Sequence, residues 1–164
     1  MTPACTDSIG NVLGKGVEDM GDDKEIIGDM LSDDPEIRSS FVAEAKEALD
    51  AVQDDFFHLE KQKDNPDPTL LDKVFRAIHS VKGAAGFLGL GNMATLALVM
   101  ETLLSRMRAG KIQPESKYID ALLAGGYLLA AMLDDINHSS EVDITSVHDR
   151  LSSLLGLNAK SCTD

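Results

Sequence analysis

Residues 70–90 read LLDKVFRAIHSVKGAAGFLGL, and this stretch decides the fold. Its apolar side chains recur every three or four residues, which is the spacing of one face of an α-helix. The members of this stripe are Leu71, Val74, Ile78, Val81, Ala85 and Leu88. The pattern predicts a helix from Asp67 to about Phe87 that buries the stripe in a core. The sequence GLG at 89–91 predicts a tight turn directly after this helix.

The polar face of this predicted helix carries a histidine with open surroundings. At about 100° per residue, His79 lies roughly 130° from the centre of the apolar stripe, so we expect it to face solvent. Lys82 follows about one turn later, and Gly83 and Gly86 lie on the same surface. Each glycine inside a helix costs about 0.8–1 kcal/mol relative to alanine. We interpret the two glycines as space-making residues that leave room for a bulky partner beside the imidazole.

The next predicted helix, from Asn92 to Arg108, repeats this arrangement. Its core stripe consists of methionines and leucines, namely Met93, Leu96, Met100, Leu103 and Met107. Glu101 lies roughly 130° from that stripe. In an antiparallel hairpin centred on Leu90, His79 and Glu101 are each about 16 Å from the turn and are therefore predicted neighbours. A carboxylate beside an imidazole can fix the tautomer and leave the other ring nitrogen free as a nucleophile.

Charge is distributed unevenly along the chain. The whole sequence has 28 Asp and Glu against 15 Lys and Arg, a formal charge of −13. Between Asp72 and Glu115, however, a single carboxylate, Glu101, stands among six basic residues, which are Lys73, Arg76, Lys82, Arg106, Arg108 and Lys111. This basic hairpin, at about +5, is suited to attract an anionic group or an acidic partner. Lys82 can pair with a phosphoryl group, and the candidates for docking a partner are Lys73 and Arg76.

Three further helices complete the predicted fold. Asp34 suits the N-cap of a long helix from Pro35 to about Lys63, which the sequence DNPDP at 64–68 must end. A fourth helix is predicted from Pro114 to about Asn137, and a short last helix over 143–155. We therefore expect an all-α fold, an up-down antiparallel four-helix bundle with an additional short C-terminal helix.

The chain divides into three predicted segments. Residues 34–156 form the helical domain, and residues 157–164 form a C-terminal tail. Residues 1–33 are acidic and rich in glycine, and we expect a largely flexible segment with a short helix over 22–31. The sequence GNVLGKG at 10–16 lacks the glycine spacing and the hydroxyl residue of a phosphate-binding loop, so it does not predict a nucleotide site.

Three pieces of the hairpin form a family pattern: LLDKVFRA, then IHSVKGAAGFLGL at 78–90, then METLL at 100–104. Together they resemble the histidine phosphotransfer (HPt) domain, most closely the N-terminal domain of CheA-type chemotaxis kinases. The resemblance covers about residues 35–156. It implies that His79 is the phosphoacceptor, with Lys82 as its basic neighbour and Glu101 as the hydrogen-bond partner of the imidazole. It also supports the space-making role of Gly83 and Gly86.

The resemblance implies a reaction and two partners. In that family a histidine-kinase catalytic domain phosphorylates the histidine, which then gives the phosphoryl group to an aspartate of a response-regulator receiver domain. ATP and Mg²⁺ belong to those partners, so we expect no cofactor, no metal and no independent catalytic activity in this chain. One position departs from the pattern, because Leu98 stands where many chemotaxis kinases have a second histidine. We therefore expect a smaller hydrogen-bond network around His79.

Composition disfavours other kinds of partner. A charge of −13 repels nucleic acid and anionic membrane surfaces. The longest apolar-rich stretch, 118–136, is interrupted by acids and glycines, so we expect no membrane insertion. Cys5 and Cys162 form neither a metal motif nor a disulfide framework, and the first residues lack the pattern of a signal peptide. A cytoplasmic protein with free thiols is the expectation.

Alternatives stay open at this point. The chain is either the N-terminal part of a CheA-type kinase, which the hairpin sequence favours, or a standalone HPt protein of a multistep phosphorelay. A helical adaptor that docks through the same face without being phosphorylated is a third reading, which the surroundings of His79 disfavour. Finally, His58 and His138 each follow two aspartates at the spacing of a pair of metal ligands, but two ligands do not make a site.

Overall fold

The computed structural model describes residues 33–157, which form five α-helices and one 3-10 helix and contain no strand. In chain order the α-helices are α1 (Pro35–Lys61), α2 (Pro68–Phe87), α3 (Gly91–Arg108), α4 (Ser116–Asp134) and α5 (Thr145–Leu154). The 3-10 helix is Ile136–Glu141. The expected four-helix bundle with a short C-terminal helix is confirmed. The predicted helix at 22–31 and the tail beyond Leu157 lie outside the described residues.

The four long helices pack as an antiparallel bundle. α2 and α3 form the most extensive pair, α4 packs against α3, and α5 lies against both α3 and α4. Two ion pairs attach α1 to its neighbours. Lys46 Nζ lies 2.7 Å from Asp134 Oδ1 at the end of α4, and Lys73 Nζ of α2 lies 2.7 Å from Asp55 Oδ2 of α1. α1 therefore lies beside α2 on one side and α4 on the other.

The predicted apolar stripes of α2 and α3 form the centre of the core. Every residue of both stripes is buried. Gly125 of α4 packs directly against the side chain of Met100 on α3. A Cβ atom on Gly125 would lie 2.6 Å from Met100 Sδ, well inside van der Waals contact, so the missing side chain lets α4 approach α3 closely.

The turn between α2 and α3 sets the register of the hairpin. Gly89 has φ +70°, a left-handed conformation that glycine adopts without strain. The backbone N–H of Leu90 donates to the carbonyl of Ala85 at 2.8 Å, which satisfies an end carbonyl of α2. Leu88 and Leu90 on either side of the glycine are buried. The turn is thus fixed by packing as well as by backbone conformation.

The helix ends lie within a few residues of the sequence expectations. α1 ends at Lys61, two residues earlier than predicted, and Gln62 Oε1 then accepts from the backbone N–H of Asp67 at 3.1 Å. Asp67 is the N-cap of α2, and its side chain accepts from Thr69 N at 2.9 Å. The expected start of α2 at Asp67 is therefore displaced by one residue, because this residue caps the helix from outside.

The largest difference from the sequence prediction follows α4. The helix ends at Asp134 and the chain tightens into the 3-10 helix, whereas the periodicity predicted α-helix to about Asn137. Asn92 at the start of α3 anchors this segment, since its Nδ2 donates to Ser140 O at 2.9 Å and to Val142 O at 3.1 Å. Hydrogen bonds from Asn92, a residue distant in sequence, therefore hold the backbone of this segment in place.

Candidate functional site

His79 and Glu101 face each other across α2 and α3. His79 Nδ1 lies 3.0 Å from Glu101 Oε2, so the prediction that the two residues are neighbours is confirmed. The His79 side chain is 59% exposed, whereas that of Glu101 is only 16% exposed. The helices thus hold a sheltered carboxylate beneath an imidazole that is open to solvent.

The carboxylate of Glu101 determines the tautomer of the imidazole. Burial raises the pKa of Glu101, but hydrogen bonds from Lys82 and His79 and the charge of Lys82 together outweigh it and leave the pKa below its ordinary value of 4.5. Glu101 is therefore ionised at neutral pH and can only accept hydrogen bonds. Nδ1 must then carry the proton that it donates to Oε2, and in the neutral ring Nε2 keeps its lone pair.

Lys82 is bound to the same carboxylate. Its Nζ lies 3.0 Å from Glu101 Oε1 and 2.9 Å from Oε2, and its side chain is only about one quarter exposed, at 27%. The structure thus brings together the three polar side chains that the sequence placed on one surface. In this arrangement the positive charge of Lys82 compensates the negative charge of Glu101. Since Lys82 and His79 both bind the same carboxylate, the ammonium group stays close to the imidazole.

Gly83 and Gly86 lie on the open surface beside the imidazole. A Cβ atom on either residue would meet nothing within 4 Å, so packing within the described fold does not require glycine at these positions. Both line a shallow depression of about 440 Å³, together with Lys82, Ala94, Thr95 and Leu98. Leu98 is 52% exposed there and has no hydrogen-bonding group. This arrangement agrees with the space-making interpretation.

An aromatic residue that sequence reasoning missed stacks on the histidine. The ring of Phe75 lies 5.9 Å from that of His79, centroid to centroid, with an angle of 13° between the planes. Arg108 Cζ lies 4.2 Å from the centroid of Phe75, and Arg108 Nη2 lies 2.8 Å from Asp72 Oδ1. The spacing of Phe75 and His79, one helical turn apart, was the signal available in the sequence.

The two docking candidates are engaged in ion pairs. Lys73 Nζ pairs with the nearly buried carboxylate of Asp55 on α1, and Arg76 Nε lies 2.6 Å from Asp72 Oδ2. Their side chains remain 57% and 78% exposed. Lys73 therefore joins α1 to α2, and Arg76 is the more exposed cation on this surface. Their role in docking stays a prediction.

Two of the aspartates considered as metal ligands pair with lysines. Asp55 pairs with Lys73 and Asp134 with Lys46. His138 Nδ1 lies 2.9 Å from Asp135 Oδ1. Residues 33–157 contain no group of three or more His, Cys, Asp or Glu side chains that could hold a metal ion. Over the same range, no helix has both the length and the apolar character needed to cross a membrane.

The fold and the site together define a class of protein, a helical bundle that presents the exposed imidazole of His79 over the sheltered carboxylate of Glu101. The Hpt domain family matches residues 36–139, well over half of the chain. The chain belongs to the Hpt domain family.

A curated relative agrees with this assignment. The chemotaxis protein CheA of Rhizobium meliloti is 31% identical over 108 residues, which cover 66% of this chain and 14% of that protein. The chain therefore spans about a seventh of the length of this curated relative.

Two solved structures are similar. The CheA phosphotransferase domain from Thermotoga maritima is 35% identical with a TM-score of 0.58, over 62% of this chain and 95% of that one. The phosphorylated P1 domain of CheA3 in complex with CheY6 from R. sphaeroides is 25% identical with a TM-score of 0.63, over 74% and 96%.

Proposed function

We propose that this chain is a phosphorelay carrier. His79 accepts a phosphoryl group from ATP bound in a histidine-kinase catalytic domain and passes it to an aspartate of a response-regulator receiver domain. We further propose that it does so as the HPt domain of a CheA-type chemotaxis kinase. The observation that carries this proposal is the hydrogen bond of His79 Nδ1 to the ionised Glu101, which leaves the lone pair on Nε2 of a side chain that is 59% exposed.

The first transfer begins from the neutral imidazole. The Nε2 lone pair attacks the γ-phosphorus of ATP, the N–P bond forms, the bond to the bridging oxygen breaks, and ADP leaves with that electron pair. The ring becomes positively charged and keeps its proton on Nδ1. Glu101, 3.0 Å from that nitrogen, balances the charge. Lys82, whose Nζ lies 3.0 Å from the same carboxylate, is the cation available to pair with the new phosphoryl oxygens.

The second transfer reverses these changes at the histidine. A carboxylate oxygen of the receiver aspartate attacks the phosphorus, the N–P bond breaks, and its electron pair returns to Nε2. The imidazole is again neutral with its proton on Nδ1. ATP and Mg²⁺ are supplied by the partner domains in both steps, and this chain contributes the nucleophile and its surroundings.

The partners follow from the family and from two relatives. A relative from Helicobacter pylori that is named sensor histidine kinase CheAY supports a histidine-kinase catalytic domain as the donor. The similar phosphorylated P1 domain was solved in complex with CheY6, which supports a receiver domain as the acceptor. Such a reaction needs ATP and a soluble receiver, so we propose the cytoplasm as its location.

The test is a phosphorylation assay. The chain is incubated with radiolabelled ATP and the catalytic domain of a CheA-type kinase, and a receiver domain is then added. We expect an acid-labile, base-stable label that is lost in His79→Gln and moves to the receiver. His138→Gln, which alters another exposed histidine, is the matched control and should be labelled normally. Binding of the kinase without any label would instead support the non-phosphorylated adaptor.

A further inference from the structure

We propose that Phe75, backed by Arg108 and Asp72, is a positioning residue that holds the plane of the His79 imidazole for phosphoryl transfer. This inference rests on the proposed function, because it concerns the same histidine. It assigns a role to three residues that do not touch the phosphoryl donor in the mechanism above. Their contribution is to orient the ring. Phe75 lies one helical turn before His79, whereas Lys82 and the glycines follow it.

The His79 imidazole keeps some freedom to move at the surface of the bundle. The His79 side chain is 59% exposed, and a hydrogen bond from Nδ1 to Glu101 restrains it at one atom. The ring moves through the two side-chain torsions χ1 and χ2, and a single hydrogen bond at Nδ1 restrains their combination without fixing both. A second contact is needed to define where the Nε2 lone pair points, because that lone pair lies in the plane of the ring.

Phe75 supplies this second contact. Its ring is nearly parallel to the imidazole, with an interplanar angle of 13° and a centroid distance of 5.9 Å, within the range of favourable aromatic pairs. Phe75 is partly buried and packs against the hydrophobic core, so its own ring has a fixed base. A swing of the imidazole plane would break this stack.

Arg108 and Asp72 fix Phe75 in turn. The Arg108 guanidinium lies 4.2 Å from the centroid of the Phe75 ring, a cation–π distance, and Arg108 Nη2 lies 2.8 Å from Asp72 Oδ1. This ion pair joins α2 to α3, as the pair of His79 and Glu101 does two turns away. Phe75 is therefore held by both helices of the hairpin.

Orientation of the nucleophile has a direct kinetic consequence. In-line attack requires the Nε2 lone pair to point at the phosphorus, and misplacement of a reacting group slows a reaction even when its chemistry is unchanged. Loss of the stack should therefore lower the rate of phosphorylation for every donor, large or small. A residue that merely contacts the kinase would affect only the kinase reaction.

The test compares two phosphoryl donors. The first is the kinase catalytic domain with ATP, and the second is phosphoramidate, a small anion from which attack by Nε2 releases ammonia. For Phe75→Leu we expect both rates to fall by about two- to tenfold, with the KM for the kinase unchanged. Phe75→Tyr keeps the stack, so its rate of phosphorylation by both donors should equal that of wild type. Phe57→Leu, the same change at an exposed phenylalanine of α1, is the matched control and should behave as wild type.

Two further measurements separate positioning from folding. The ring protons of His79 should shift in the NMR spectrum of Phe75→Leu, because the ring current of Phe75 is lost. Arg108→Gln changes an exposed side chain and leaves the core intact, and it should also lower the rate of phosphorylation by both donors. Because Arg108 acts through Phe75, the double variant should be no slower than Phe75→Leu alone. Lys111→Gln removes a charge nearby and is the control for simple attraction of the anionic donor.

The outcomes are distinguishable from failure of the proposed function. A wild-type chain that neither donor phosphorylates contradicts the carrier itself. A wild-type chain that is phosphorylated, with Phe75→Leu and Arg108→Gln equally fast, overturns the positioning role alone. A rate that falls only with the kinase also overturns it and assigns Phe75 to the kinase contact. If Phe75→Leu lowers the thermal stability of the fold, the phosphoramidate rate of Arg108→Gln decides the question.

Discussion

Lys82 Nζ lies within hydrogen-bond distance of both carboxylate oxygens of Glu101, at 3.0 Å from Oε1 and 2.9 Å from Oε2. The lysine therefore compensates the carboxylate that binds the imidazole, in addition to standing one turn from His79, the proposed phosphoacceptor. This relationship makes Glu101 the centre of the polar cluster, since both His79 and Lys82 donate to it. The consequences can be measured in rate, in stability and in partner selectivity.

Removing the Glu101 carboxylate should slow phosphorylation of His79 while the bundle stays folded. In Glu101→Ala the tautomer of the imidazole is no longer fixed, and a hydrogen bond to a charged group, worth about 1.5–3 kcal/mol, is lost. We expect a rate lower by about ten- to a hundredfold, measured with radiolabelled ATP and a kinase catalytic domain. Glu115→Ala, at an exposed acid before α4, is the control. An unchanged rate would refute the orienting role of Glu101.

The Glu101 cluster should also make folding stability depend on pH in a defined direction. Because the pKa of Glu101 is lower in the folded chain than its ordinary value of 4.5, the unfolded chain binds the proton more readily. The stabilisation from this carboxylate is therefore fully present above pH 4.5 and is lost as the pH falls through the folded-state pKa. The measurement is urea unfolding of wild type and Glu101→Gln over a pH series. The gap between the two should shrink on acidification, and a gap that grows would contradict the assignment.

A large side chain at Gly83 should block partners while leaving the fold intact. A Cβ there meets nothing within 4 Å, and leucine favours a helix more than glycine does, so Gly83→Leu should be at least as stable as wild type. The added side chain would occupy the depression beside His79. We expect transfer from the kinase and to the receiver to fall at least about tenfold, which is the size of loss measured when a central interface residue is changed. Ala131→Leu, on an exposed part of α4, is the control, and normal transfer by Gly83→Leu would remove the space-making role.

Two adjacent glycines in α4 should respond to alanine in opposite directions. Gly125→Ala would place Cβ 2.6 Å from Met100 Sδ in the core, an overpacking that typically costs about 1–3 kcal/mol. Gly126→Ala meets nothing within 4 Å and gains up to about 1 kcal/mol of helix propensity. Thermal or urea unfolding of the two variants provides the comparison. A Gly125→Ala variant as stable as wild type would mean that Met100 moves aside freely.

Much of the fold could be predicted because the hairpin sequence is strongly periodic. The spacing of the apolar residues in α2 and α3 determined which faces are buried, and the position of the turn determined that His79 faces Glu101. The 3-10 helix after α4 could not be predicted in this way. Its backbone depends on hydrogen bonds from Asn92, more than forty residues earlier, and local periodicity contains no information on such a contact.

The site was predicted less completely than the fold. Charge and spacing identified Lys82 as a neighbour of His79, but not that its ammonium group is bound to Glu101. The stack of Phe75 on His79 and the cation above Phe75 were missed, because Phe75 reads from the sequence as one more apolar residue of α2. Asp72 and Arg108 face each other in the same register as His79 and Glu101, and extending that register along the hairpin would have found them.

The most direct test of the central claim is to identify the phosphorylated nitrogen. The chain is labelled with ¹⁵N-histidine, phosphorylated with ATP and a CheA-type kinase catalytic domain, and examined by NMR, which distinguishes the two ring nitrogens by their couplings. We predict a phosphoryl group on Nε2 of His79, with Nδ1 still protonated and bonded to Glu101. A phosphoryl group on Nδ1, or on any residue other than His79, would contradict the claim.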